Sequence, residues 1–193
     1  VPLAGQARLD WSHDGRQYEA RWEVGGLPGS RVERSTGRIT DEGLAPDYYS
    51  AKGARSEQAT HFDRGSGRLV FSNNRPPALI SEGLQDRLSV LVQLSILIAG
   101  QPEKFPAGTR IAIPTADTSE ADSWVFSVEG PEQLELPGGV LAGLKLQRLP
   151  LKPFDQKVEL WLAPSLDYAP VRLRLTNPNG DTVDQRWSST DRG

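Results

Sequence analysis

Cysteine and methionine are both missing from this chain of 193 residues. Without cysteine there is no disulfide framework, no thiolate metal site and no thiol chemistry, and no compartment is excluded. Without methionine the chain does not begin at a natural start, so a processed or trimmed N-terminus is expected. Val1 would then follow a removed signal, a removed membrane anchor or an artificial cut. A basic excess is also lacking: 22 basic residues face 25 acidic ones, for a formal charge of -3. Nothing in that balance favours phosphates, which argues against a nucleic-acid partner. Long apolar runs are absent. The most apolar stretch, Leu88 to Ala99, contains Ser89, Gln93 and Ser95 and falls short of the ~20 apolar residues that a membrane-spanning helix needs. Aromatics make up only 7%, yet five of them are tryptophan. Hydrophobic residues reach 37%, enough for a core, and charges of both signs are dispersed, so disorder is excluded. The length suits a single domain over 1–193.

What is present is mostly strand. Ala7, Leu9 and Trp11 alternate with polar residues up to a turn at His13-Asp14-Gly15. Tyr18, Ala20, Trp22 and Val24 then alternate with Gln17, Glu19, Arg21 and Glu23. Period two puts one set of side chains on each face of a strand, so these segments are apolar on one side and solvated on the other. Gly25, Gly26, Pro28 and Gly29 break the run. Arg31 to Thr40 reads as a polar strand ended by Asp41-Glu42-Gly43, followed by short segments at Tyr48-Tyr49, His61-Phe62 and Leu69 to Phe71. In the second half, strands are read at Ile111-Ile113, Trp124 to Val128, Leu144 to Gln147, Lys157 to Leu162 and Val171 to Leu175. Asn177-Pro178-Asn179-Gly180 is a hairpin turn, returning along Thr182 to Trp187. About ten strands are expected, mainly antiparallel, with no βαβ rhythm and so no parallel nucleotide-binding sheet.

One helix is expected, from about Glu82 to Ala99, with Ser81 as N-cap and Gly100 just past its end. Gln85, Asp86, Ser89 and Gln93 form a narrow polar stripe, Arg87 lies off it, and the rest is apolar. The β-branched Val90, Val92, Ile96 and Ile98 keep a strand pair open as an alternative. A sheet with one apolar face must hide it. The expected architecture is therefore all-β, a curved sheet or open barrel wrapping this one apolar helix. On that reading Leu91→Asp unfolds the domain, whereas Gln93→Glu, on the polar stripe, is mild.

Three blocks of residues resemble a known family. They are Val32-Glu33-Arg34-Ser35-Thr36-Gly37 before Gly43-Leu44-Ala45-Pro46; Gln85-Asp86-Arg87-Leu88-Ser89; and Glu159-Leu160-Trp161-Leu162-Ala163-Pro164 followed by Tyr168-Ala169-Pro170-Val171-Arg172. In this order they resemble the bacterial family of domain of unknown function 3108, over nearly the whole chain. The resemblance implies an exported protein of the periplasm or cell envelope of Proteobacteria. Any membrane anchor would lie in the missing N-terminus. It brings no biochemical activity with it, and its likeness to periplasmic lipoprotein carriers is an analogy of fold only.

No catalytic centre, cofactor site or metal site is read from the residues. His13 and His61 lack a second histidine at ligand spacing. Asp117, Glu120 and Asp122 do not match a calcium loop. Gly65-Ser66-Gly67 lacks the flanks of a nucleophile elbow. Pro150-Leu151-Lys152-Pro153 matches a proline-helix ligand pattern but reads better as a link between strands. The candidate groove or rim comprises Trp22, Asp86, Arg87, Leu91, Trp124, Phe126 and Trp161. Core packing is the competing role for the tryptophans, and helix-start electrostatics for Asp86 and Arg87. Three functions are compatible with this: a non-enzymatic envelope module that is structural or binds other envelope proteins, a carrier of an apolar or acylated ligand, and an enzyme acting on cell wall or glycan.

Overall fold

A computed structural model of the chain describes residues 5–25 and 30–193. The expected break at Gly26, Pro28 and Gly29, and the terminal Val1, lie outside the described residues. The fold is mostly antiparallel strand, with one sheet curled into a half-barrel and one α-helix among the strands. Fourteen strands are found among the described residues, where the sequence reads as about ten.

The first sheet runs in strict chain order: β1 (Gln6–His13), β2 (Gln17–Gly25), β3 (Arg31–Thr40), β4 (Gly43–Lys52), β5 (Glu57–Asp63), β6 (Arg68–Phe71) and β7 (Ala78–Leu79). After it come β8 (Gln85–Asp86), the helix α1 (Ser89–Gly100), β9 (Arg110–Ala116), β10 (Ala121–Leu136), β11 (Gly139–Arg148), β12 (Lys157–Ala163), β13 (Ala169–Thr176) and β14 (Thr182–Arg186). The second sheet is ordered β14-β13-β12-β11-β10-β9-β8. Its pairs are antiparallel from β10 to β14, but β8 lies parallel to β9, pairing Gln85 with Thr115 and Asp86 with Ala116. The strand at Trp124 proves far longer than its alternation shows. It passes a bulge between Val128 and Gly130, where the period-two pattern slips.

The Cα packing divides the chain into two compact units, one of residues 1–93 with 113–123 and the other of 94–112 with 124–193. In the first, the β1–β2 hairpin turns where the sequence predicts. Gly15 takes φ +89, and the Asp14 carboxylate accepts the Arg16 and Gln17 amides at 2.8 and 2.7 Å. Tyr18, Ala20 and Trp22 are buried as their alternation requires. Across the strand pair, Ala20 faces Ser35 and Trp22 faces Glu33. The buried face of β3 is therefore polar, and it carries Glu33 and Ser35.

The helix begins later than the sequence suggests. Gly83 sits at φ +70, a left-handed conformation that no helical residue adopts, and Gln85-Asp86 is strand instead. Ser81 caps nothing. Asp86 does, accepting the Leu88 and Ser89 amides at 2.9 and 2.7 Å through Oδ1, while Ser89 Oγ accepts the Asp86 amide at 2.9 Å. This is a reciprocal capping box with serine in the usual glutamate place. Gly100 is the last helical residue rather than the one beyond it.

The polar stripe is also corrected. Gln85, Asp86, Ser89 and Gln93 are all buried. They are there to satisfy backbone and side-chain groups inside the first unit. Gln93 Oε1 accepts the Leu44 amide at 2.9 Å, and Gln85 Nε2 donates to the Leu44 carbonyl at 2.7 Å. Two glutamines thus take both polar groups of one β4 residue. Gly43, at φ +121, lets Gln93 approach, since a Cβ there would lie 2.4 Å from its Nε2.

In the second unit β12 is buried on both faces. Val158, Leu160 and Leu162 fill one side with Leu146 and Phe126 among the fully buried residues. On the other, Trp161 and Ala163 cluster with Leu134, Leu136 and Val171. Gly143 makes room: a Cβ there would meet Leu134 Cδ1 at 2.7 Å and Trp161 Cβ at 3.4 Å. The rest of α1 is tied into this unit by Ser95, whose hydroxyl donates to the Tyr168 carbonyl at 2.6 Å.

These positions reverse one expectation from sequence. Leu91 is buried, so Leu91→Asp should unfold the protein. Gln93→Glu should also be damaging, because it buries a charge in a site built for an amide. A loss of about 3 kcal/mol is expected in urea unfolding. Stability within about 0.5 kcal/mol of the parent would show that Gln93 does not hold Leu44.

Candidate functional site

Asp86 is the centre of a buried polar network in the first unit. Its second oxygen accepts the Ser35 hydroxyl at 2.5 Å, and Ser35 Oγ is 3.0 Å from the Tyr18 hydroxyl. Tyr18, Ser35, Asp86 and Ser89 are all buried. Nearby, the fully buried Tyr49 donates to Glu33 at 2.8 Å, and Arg31 pairs with the same carboxylate at 2.6 Å. Burial pushes the Asp86 carboxyl up to about 7, although the hydrogen bonds from Ser35, Ser89 and Leu88 pull the other way and the Glu33 charge adds to the rise. Burial also raises both phenols, with the Asp86 charge adding to the effect on Tyr18 and the Glu33 charge to that on Tyr49. The chain Tyr18–Ser35–Asp86 serves either state. With the carboxylate ionised, hydroxyls donate toward it; with the acid protonated, it donates to Ser35 and the chain reverses.

Of the other expected site residues in this unit, Trp22 and Leu91 are core. Arg87 is half-buried, its amide donates to the Ala116 carbonyl at 3.1 Å, and its charge opposes the rise at Tyr49. An open groove of about 470 Å³ lies beside the β1–β2 turn, lined by polar groups that include Ser12, Asp14, Gln17, Glu19, Thr36 and Asp47. None of the seven expected residues lines it.

In the second unit, Trp124 and Phe126 do come together, with ring centroids 6.3 Å apart. Both are buried, and the Arg148 guanidinium lies 4.0 Å from the Trp124 ring. Trp161 shares the charged face of β12 with Glu159, as its alternation says, but it is no rim. It is 2% exposed, covered by Lys145 at 5.2 Å, Arg172 at 4.7 Å and Arg174 at 5.5 Å from its ring. Its indole N–H donates to Glu132. Glu159 accepts both arms of Arg174 at 2.7 Å and lies 3.1 Å from Lys145. The Arg174 hydrogen bonds, with help from Lys145 and Lys157, hold its carboxyl down at about 2.

Sequence reasoning did not identify Ser35, Glu33, Tyr18 and Tyr49 as a network, nor Glu159 with Arg174. One signal was available. In β3, Glu33 and Ser35 are two apart, so they share a face, and only the pairing with Trp22 and Ala20 reveals that this face is the buried one. Elsewhere polar side chains serve local structure. Asp117 accepts the Ser119 and Glu120 amides at 2.6 and 2.8 Å. His61 packs edge-on against Tyr48, and His13 lies tilted against Trp11. Among the described residues no group of three or more histidine or acidic side chains is placed to hold a metal ion.

Comparison with known proteins places the chain. The family described as "Protein of unknown function (DUF3108)" matches residues 2–185, and the chain belongs to that family. Membership makes it an exported, envelope-associated protein. Among curated proteins none matches it. A solved structure similar in fold is the beta-barrel-like protein of the DUF1849 family from Brucella abortus. It is 8% identical with a TM-score of 0.57, over 96% of this chain and 87% of that one. A DUF1089 family protein from Pseudomonas aeruginosa matches at 11% identity and a TM-score of 0.40, over 100% of this chain and 94% of that one. No described helix is long and apolar enough to cross a membrane.

The two carboxyls shifted furthest, Asp86 and Glu159, give opposite pH dependences. Asp86 titrates near 7 when folded and near the ordinary carboxyl value of 3.8 when unfolded. Between those values the folded state holds the extra proton, so Asp86 makes stability fall as pH rises through that window. Glu159 titrates near 2 folded against 4.5 unfolded, so its contribution is present above 4.5 and is lost as pH falls toward 2. Asp86→Asn keeps the Oδ1 cap and offers an amide to Ser35. It should abolish the decline between pH 4 and 7 in urea midpoints while leaving the acid limb intact. An unchanged profile would show that Asp86 is not the titrating group.

Proposed function

We propose that this protein is a non-enzymatic envelope module, structural or binding other envelope proteins, whose interior is core rather than ligand site. One observation carries this reading. Five side chains that would line a carrier's groove, Trp22, Leu91, Trp124, Phe126 and Trp161, are each buried. The aromatics among them already have partners. Trp161 lies under three cations and Trp124 under one, so a ligand would have to displace ion pairs as well as apolar contacts. Native cores of this kind leave few voids for a chain to enter. The two carboxyls shifted furthest, Asp86 and Glu159, are taken up by helix capping and ion pairing, which leaves neither poised as a general acid.

Titration with a fluorescent fatty acid, and with an acyl-peptide, tests this. Neither should give saturable binding, a change in tryptophan emission or a rise in melting temperature at tens of micromolar. A ligand bound only by the folded state must raise that temperature. Stoichiometric binding with such a rise would replace the module by a carrier.

A further inference from the structure

Four consecutive residues of the loop between β11 and β12, Leu151, Lys152, Pro153 and Phe154, are exposed. Phe154, at 89%, is the most exposed large apolar side chain among the described residues, and Leu151, three positions earlier, is 63% exposed. Single exposed apolar residues are ordinary. Here two occur in one short loop, and the loop is built to present them.

The construction starts from sequence. Lys152 to Asp155 closes a four-residue turn, with the Asp155 amide donating to the Lys152 carbonyl at 3.0 Å. Pro153 stands at its second position, where a fixed φ is an advantage, and Phe154 occupies the next corner. The Asp155 carboxylate accepts the amides of Leu151 and Lys152 at 2.8 and 3.0 Å. Arg148, itself stacked on Trp124, pairs with the same carboxylate at 3.4 Å. Gln156 donates to Asn177 Oδ1 at 2.8 Å, and the Leu149 amide donates to the Val125 carbonyl at 3.0 Å. A loop tied this firmly has paid its ordering entropy, and with it fixes two apolar side chains in water rather than folding them back.

We propose that this tip is a contact for a lipid bilayer surface, with Leu151 and Phe154 entering the acyl boundary and Lys152 reaching the phosphates. The chemistry favours lipid over protein. A stable protein interface needs roughly 800 Å² from each partner. The exposed apolar groups here are Leu151 and Phe154 with the two prolines of the same short loop, and the neighbouring turn held by Gln156 is Asn177-Pro178-Asn179-Gly180, which is polar. Two apolar pegs with a lysine between them match the headgroup–acyl boundary, where the apolar groups sink and the lysine stem extends outward to anionic headgroups. The inference goes beyond the module reading and is independent of it, since it concerns an exposed loop and not the interior.

Vesicle flotation of the intact chain tests it, with one set of phosphatidylcholine vesicles and one containing phosphatidylglycerol. The protein should float with both, and more with the anionic set. Leu151→Ser with Phe154→Ser should weaken partition about tenfold on either set, without altering the melting temperature, because both side chains are already in water. Lys152→Gln should remove only the preference for anionic vesicles. Because the chain lacks cysteine, a dye on Leu151→Cys reports the tip alone, and its emission should shift blue on adding vesicles. Failure of the parent protein to float at millimolar lipid overturns the proposal. So does undiminished flotation of the double variant, and a protein partner would then be the occupant to seek. None of these results bears on fatty-acid binding in the interior, so the two readings fail separately.

Discussion

Asp86 must be satisfied without water, and the first unit is organised around that requirement. An isolated carboxylate in a protein interior costs many kcal/mol unless it is neutralised or surrounded by donors. Here the donors are the open amides at the start of α1 and the hydroxyl of Ser35. The helix needs an acceptor at its N-terminus as much as the carboxylate needs donors. Each solves the other's problem, and the solution fixes where the helix starts and which part of β3 lies beside that start. The parallel pairing of Gln85-Asp86 with Thr115-Ala116 holds the residue from the other side. The glutamines before and after it then grip Leu44, so a short polar sequence orients both the helix and β4.

The second unit handles buried charge differently. Glu159 is neutralised by an ion-pair cluster on a sheet face, and two of its cations, Lys145 and Arg174, also roof Trp161. The cations thus serve two purposes, charge balance for the acid and desolvation of the indole. Such a roof resembles a ligand-binding surface when read along the sequence, because tryptophan among lysine and arginine is common in recognition sites. Its side chains are already committed to one another.

Much of the fold was legible and much of the interior was not, for a common reason. Period-two alternation located β2, β3, β12 and the β1–β2 turn closely, because side-chain periodicity is a property of one strand. It placed Trp22, Trp124 and Phe126 inward correctly. The status of Gln93, Ser35 and Glu33 depends on what lies across from them, which is a property of strand pairing and is invisible in a single segment. A polar stripe on an apolar helix therefore read as a solvated edge when it is the gripping face. The start of α1 was misplaced because Ser81 offers a generic capping signal, whereas Asp86 with Ser89 is the capping pair actually used. Of the seven candidate site residues, the sequence recognised that Asp86 and Arg87 open the helix, but nothing local could reveal that Asp86 is buried.

The strict chain order of the first sheet has a consequence for how an exported chain acquires its structure. In β1 to β7 every strand pairs with the one made just before it. Contacts are therefore short in sequence, and such topologies fold quickly and in steps. A polypeptide that emerges across a membrane from its N-terminus can lay down this sheet strand by strand, with little unpaired edge exposed at any moment. Completion is another matter. The first unit includes residues 113–123, which emerge only after α1 and the start of β9. Until then Asp86 lacks its parallel neighbour, and the unit's last hydrogen-bonded pieces, such as Thr60 to the Asp117 carbonyl at 2.7 Å, cannot form. Translocation of that later segment, rather than of the meander itself, sets the moment at which the first unit can lock.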